Sequence, residues 1–153
     1  MIRRLIDIYA PAGRLLAKPT VALYEDIQEF LVAEVAGEVV GCGALHVMWE
    51  DLAEIRTVAV DPAWHGRGIG YRLVAGLLAN ARRIGVARVF VLTFETEFFA
   101  RHGFAPIDGT PVPAEVYDEL LRSYDEGVAE FLDLERVKPN TLGNTRMLLT
   151  LAS

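Results

Sequence analysis

A chain of 153 residues with 52% apolar and 24% charged side chains has the size and balance of one soluble globular domain with a single core. It holds no run near the roughly 18 apolar residues of a membrane span and no signal-peptide pattern after Met1, so a cytoplasmic location without membrane contact is expected. A lone cysteine, Cys42, excludes an internal disulfide and a thiolate zinc cluster, and reads as a small buried strand residue rather than a reactive thiol. The net charge of −6 argues against a nucleic-acid binder, but charge is unevenly placed. Pro62 to Phe94 carries five arginines and no acid, whereas Ile107 to Glu135 carries nine acids against Arg122 alone. A cationic stretch within an acidic chain suits a small polyanionic ligand better than a duplex.

In chain order, Ile2, Leu5, Ile6 and Tyr9 have helical spacing, stopped by Pro11 and Gly13. Thr20 is a suitable N-cap for a second helix with Val21, Tyr24 and Ile27 on one side. Phe30 to Val35 is β-rich, and the turn at Ala36, Gly37 and Glu38 joins it to a strand over Val39 to Met48. Ala53 to Val60 forms a third strand, ended by Asp61-Pro62. These three read as antiparallel neighbours. A glycine-rich turn, His65 to Gly70, then opens a helix with Ile69, Leu73, Val74, Leu77, Leu78 and Ala81 on one face, ended by Gly85. Val86 to Thr93 is a nearly continuous apolar strand of the kind buried on both faces. Strand, helix and strand in this order make a parallel crossover. A short helix over Glu95 to His102, a brief strand over Phe104 to Ile107, a helix over Pro113 to Tyr124 and a closing strand over Arg146 to Leu151 complete the reading. No linker divides the chain, so residues 1–153 read as one domain.

The segment His65-Gly66-Arg67-Gly68-Ile69-Gly70 runs from a strand end straight into a helix. Glycines permit close backbone approach, the first helical turn leaves N–H groups without partners, and the dipole favours negative charge there. A pyrophosphate fits those needs. The Rossmann pattern fails because Tyr71 stands where its last glycine is required, and the Walker A pattern fails for want of Lys-Ser/Thr. The loop resembles the acyl-CoA signature of the GNAT acetyltransferases, [Gln/Arg]-x-x-Gly-x-[Gly/Ala], with His65, Gly68 and Gly70 at the defining places, and FFARHGF resembles that family's later Phe-Tyr-x-x-x-Gly-Phe element. GCGALHV, EIRTVAVDP, FVLTFETEFFARHGF and RMLLTL, taken in order, are similar to short stand-alone bacterial amino-acid N-acetyltransferases of the N-acetylglutamate synthase type, over nearly the whole chain.

That resemblance implies an α/β (α+β) GNAT fold: a mixed central sheet with antiparallel N-terminal strands, a parallel splayed pair at the acetyl-CoA site, and helices on both faces. It also implies acetyl transfer from acetyl-CoA, without a metal, to the α-amine of glutamate or glutamine, the first step of arginine biosynthesis, with a homodimer as a possible assembly. The chain departs from the family's pattern in three places. It starts on a helix where relatives usually start on a strand, His65 replaces Gln or Arg, and Phe99 replaces the tyrosine that commonly serves as general acid.

The expected cofactor contacts are the backbone of Val58, Ala59 and Val60 for pantetheine, the loop residues His65, Gly66, Arg67, Gly68, Ile69, Gly70 and Tyr71 for pyrophosphate, and Phe99. Glu54 is the candidate base for the acceptor amine, its alternative being a paired surface carboxylate. Period-2 geometry places it on one face with Arg56. With Phe99 unable to donate a proton, the hydroxyl of Thr96, or water, falls to the thiolate leaving group. Lys18, Arg56 and Arg146 are the candidate cations for a substrate carboxylate. The acidic helix over Glu115 to Glu126 reads as a solvated face rather than a metal site, with Tyr117, Leu120, Leu121 and Tyr124 packing inward or on a partner chain. Two other readings stay open: an acetyltransferase for another amine (a peptide N-terminus, a lysine, or a polyamine drawn by the nine acids) and a non-catalytic acyl-CoA-binding sensor.

Overall fold

The β-rich run after the second helix and the valine-rich run beyond Gly37 meet as predicted. In the computed structural model, which describes residues 1–9, 19–138 and 143–152, β1 (Phe30–Val35) pairs antiparallel with β2 (Glu38–Trp49) across a tight turn at Ala36 and Gly37, both at positive φ. β3 (Leu52–Val60), α3 (Ile69–Ile84) and β4 (Arg88–Thr93) form the parallel crossover, β3 and β4 being partnered at Leu52–Arg88, Ala53–Val89 and Glu54–Phe90. The closing strand β6 (Thr145–Thr150) runs antiparallel to β4 and also pairs with the two-residue β5 (Ala105–Pro106). The sheet order is therefore β1-β2-β3-β4-β6-β5.

The chain clusters into two compact units that share β2 and β3: Met1–His46 with Ile55–Gly85, and Val47–Glu54 with Val86–Ser153. In the first unit, α1 (Ile2–Tyr9) buries Leu5 and Ile6 completely, and Leu5 packs with Cys42 and Ala59. α3 contacts β1 and buries Leu73, Val74, Leu77, Leu78 and Ala81, the face its periodicity marked. Close packing on β2 explains Gly41 and Gly43, where a Cβ would stand 3.0 Å from Leu73 and Leu77 respectively. In the second unit, Met48, Leu52, Phe90, Leu120, Val128, Phe131 and Leu132 form a core, with Phe90 and Phe131 edge to face at 5.3 Å.

Several sequence expectations are corrected. Thr20 is the first residue of α2 (Thr20–Glu25), with Pro19 at the cap, and the helix buries Leu23 while Val21, Tyr24 and Ile27 stay exposed. The predicted helix over Pro113 to Tyr124 ends early: α5 spans Ala114–Leu120, and a further helix, α6 (Glu126–Phe131), follows. Leu120 is buried and Tyr117 packs on the core, but Leu121 and Tyr124 lie on the surface. α4 (Thr96–Ala100) is shorter than predicted, with Gly103 at φ 101° just beyond it. Among the described residues no helix is long and apolar enough to cross a membrane.

Candidate active site

The glycine-rich loop over residues 65–70 belongs to the first unit. Asp61 ends β3 and fastens the entry: its Oδ1 accepts from the Ala63 amide at 3.0 Å, and its Oδ2 pairs with Arg4 of α1 at 2.9 Å. The Ala63 amide first, then Arg4, hold its carboxyl below the usual 3.8. Tyr9, also on α1, donates its hydroxyl to the Val60 carbonyl and lies 2.8 Å from His65 Nε2, which is itself 3.1 Å from Val60 O. His65 thus turns its Nε2 inward, onto the end of β3 and α1. Arg67 stacks over Trp64 at 4.6 Å, and Tyr71 stands about half exposed in the first turn of α3.

The glycines of the loop are conformational. Gly66 and Gly68 sit at φ 76° and 78°, and a Cβ on either would meet nothing within 4 Å. They therefore turn the chain and leave the space in front of the α3 N-terminus open. Gly68 caps α3, whose first turn holds no acid. An open, acid-free turn of backbone amides ahead of a 16-residue helix is a fitting cradle for a pyrophosphate.

β3 itself is distorted between its two ends. Thr57 adopts φ 59°, a strained state for a β-branched residue, and its carbonyl accepts from Cys42 Sγ at 3.4 Å. Cys42 is fully buried, and burial pushes its thiol up to about 11. Arg56 lies 3.8 Å from Glu29, whose other oxygen is 2.5 Å from His46 Nδ1. Sequence reading missed this half-buried His46–Glu29–Arg56 group, in which the candidate substrate cation Arg56 faces Glu29.

In the second unit, Glu54 is only 2% exposed, which removes the surface-carboxylate reading. Its side chain lies against α6, where Gly127 leaves room for the carboxylate. α6 is fixed at both ends. Asp125 accepts from the Val128 amide at 3.1 Å, and Arg146 of β6 donates to the carbonyls of Glu130 and Phe131 while stacking over Phe90 at 5.9 Å. Burial lowers the Arg146 pKa from its usual value, with Asp133 and Asp108 opposing. Glu130, Asp133, Lys138, Asn144 and Arg146 line a cavity of about 250 Å³. Thr96 opens α4, partly exposed, whereas Phe99 is 5% exposed and packs edge to face on Phe98 and Phe104. Lys18 lies outside the described residues, and no metal-ligating cluster occurs among those described.

α6 escaped sequence reading although a signal was present: Asp125 is a good N-cap, and Val128, Phe131 and Leu132 follow at helical spacing.

A glycine loop opening α3 after a strained strand, within a parallel crossover, agrees with what comparison finds. Residues 2–104 match the acetyltransferase (GNAT) family. The chain belongs to that family. It is 66% identical to an amino-acid acetyltransferase of Mycobacterium tuberculosis, over 98% of this chain and 87% of that protein. A crystal structure from M. tuberculosis in complex with CoA and a further ligand has TM-score 0.95 and 66% identity, covering 99% of this chain and 92% of that one. N-acetylglutamate synthase of Neisseria gonorrhoeae, crystallised with coenzyme A and N-acetyl-glutamate, has TM-score 0.77 and 27% identity, with 99% of this chain covering 32% of that longer one. The GNAT fold stands, and of the activity implied by the sequence the transfer itself stands: this is an acetyltransferase using acetyl-CoA and acting on an amino acid.

Proposed function

We propose that the acceptor is free L-glutamate or L-glutamine and that the product enters arginine biosynthesis. The observation that carries the catalytic part is Glu54: a buried carboxylate on the same strand that, six residues on at Val60, feeds the phosphate loop. An α-amine with a pKa of about 8 or above arrives mostly protonated at neutral pH and must lose a proton to attack. Glu54 takes it, directly or through a water. The amine nitrogen bonds to the thioester carbonyl carbon, the C–S bond breaks, and the sulfur leaves as thiolate. As the amide forms, the nitrogen gives up its second proton, which Thr96 or water relays to the thiolate, giving the N-acetyl amino acid and free CoA.

The loop residues His65 to Tyr71 hold the pyrophosphate, and the backbone of Val58, Ala59 and Val60 pairs with the pantetheine arm. Phe99, buried among phenylalanines, serves by shape rather than by proton transfer. For the acceptor, the cavity carries both signs of charge, Arg146 and Glu130 beside the Lys138–Asp133 pair, which suits a zwitterion. Three of the nine acids that would draw a polyamine are engaged within the protein: Asp125 caps α6, Glu126 pairs with Arg136 at 2.7 Å, and Asp133 pairs with Lys138 at 3.1 Å. The similarity to the mycobacterial and gonococcal enzymes supports the same class of acceptor.

Thiol release from acetyl-CoA, measured side by side with glutamate, glutamine, lysine and spermidine, tests the assignment. Glutamate or glutamine should give the highest kcat/KM, and a higher value for either cation would sink it. Glu54→Gln should lower kcat roughly 10²-fold or more at nearly unchanged acetyl-CoA affinity.

A further inference from the structure

Gly127 has no backbone reason to be glycine. It lies inside α6, it is buried, and it is absent from the positive-φ glycines among the described residues. At an ordinary helical φ, glycine is among the weakest helix formers, and alanine would favour the helix. Space supplies the reason. A Cβ at position 127 would stand 2.1 Å from Glu54 Oε1, 2.7 Å from Cδ and 2.8 Å from Oε2, all inside the 3.0 Å that Cβ contacts respect. All three atoms, the nearest to that point, belong to the Glu54 carboxylate, so it is this group that the glycine accommodates first.

The wall itself has little freedom to retreat. Asp125 ties the N-terminal turn of α6 through the Val128 amide, Arg136 pairs with Glu126, and Arg146 grips the carbonyls of Glu130 and Phe131. Val128 and Phe131 are sunk in the second unit's core. On the other side Glu54 is held by its strand, partnered in register with Phe90. When a methyl group is added at 127, the flexible carboxylate rather than the helix must yield.

We propose that Gly127 is a positioning residue for Glu54, setting where the carboxylate meets the acceptor amine. This rests on Glu54 being the base. The chemistry asks for such control because an error of about an ångström in a proton-accepting group can lower turnover on the order of 10²-fold. Moving the carboxylate from 2.1 Å to the 3.0 Å limit is a displacement of that size.

The test is a set of single and double variants in the full chain, assayed for kcat, KM, acetyl-CoA binding and melting temperature. Gly127→Ala should fold, melt no lower than the parent, and bind acetyl-CoA within about twofold, while kcat falls on the order of 10²-fold. Glu54→Asp draws the carboxylate back by one methylene and is expected to be slow by itself. In that background Gly127→Ala should change kcat by less than about threefold, because the methyl then occupies vacated space. A merely structural glycine would behave alike in both backgrounds. Should Gly127→Ala keep full kcat, or lose the same factor in the Glu54→Asp protein, the positioning role is refuted while Glu54 stands as base. Full turnover by Glu54→Gln would overturn both. If Gly127→Ala fails to fold with Glu54 in place, the Gly127→Ala, Glu54→Asp double variant decides: a folded protein with the kcat of Glu54→Asp supports the role, and failure to fold in both backgrounds rejects it.

Discussion

Replacing Gly68 separates what the phosphate loop does for the fold from what it does for the cofactor. Gly68 sits at φ 78°, ψ 11°, and a Cβ there meets nothing within 4 Å, so alanine or valine meets strain but no collision. Left-handed backbone costs an L-residue about 1–2 kcal/mol. For a chain of this size each kcal/mol moves Tm by roughly 2–4 °C, so Gly68→Ala should melt about 2–8 °C lower. If the loop holds the cofactor as proposed, binding should suffer separately, because a side chain would fill the space a pyrophosphate needs. Gly68→Val should weaken acetyl-CoA at least tenfold, or about 1.4 kcal/mol. Gly85 is the control: it closes the other end of α3 at φ 99°, and its Cβ would likewise meet nothing within 4 Å. Gly85→Ala should lose comparable Tm with acetyl-CoA affinity intact. Titration calorimetry and thermal melts on the three variants decide the matter. A folded Gly68→Val protein with unchanged affinity would remove the loop from the cofactor site.

Three further outcomes follow from the geometry. Arg146→Ala removes the donors that hold Glu130 and Phe131 and should destabilise by about 2–3 kcal/mol, seen as a clear loss of Tm; a rise in acceptor KM beyond that loss would mark a substrate contact as well. Cys42, with its thiol near 11, should resist iodoacetamide at pH 8 in the native protein, because only about one thiol in a thousand is then ionised, and should react readily in urea. Asp61, whose folded carboxyl is held below 3.8, contributes stability that is present above that value and lost as pH falls through the folded one. Melts of Asp61→Asn across that acid range should show a flatter decline than the parent; parallel curves would deny the coupling.

Local patterns were enough to place much of this protein. A glycine loop between a strand and an amphipathic helix needs only near neighbours to adopt its conformation, and the apolar face of α3 is written in its 3.6-residue period. The buried Cys42, the parallel β3–β4 pair and the existence of the closing strand were legible for the same reason, whereas its antiparallel pairing with β4 was not. Glu54 could be named as the one acid of its strand segment, but its burial could not, since charge alone suggests a surface. The break between α5 and α6 was hidden because the acids between Glu115 and Glu126 mimic a continuous solvated helix. Arg146 reads in sequence as a free cation, yet its donors reach carbonyls sixteen and fifteen residues earlier in the chain. What only the tertiary structure decided is the setting of Glu54. A carboxylate on β3 and a glycine on α6 are 73 residues apart, and no local rule relates them. Their fit is a matter of volume, fixed when the sheet and α6 pack, and it is the packing that turns an unremarkable glycine into a constraint on the Glu54 carboxylate.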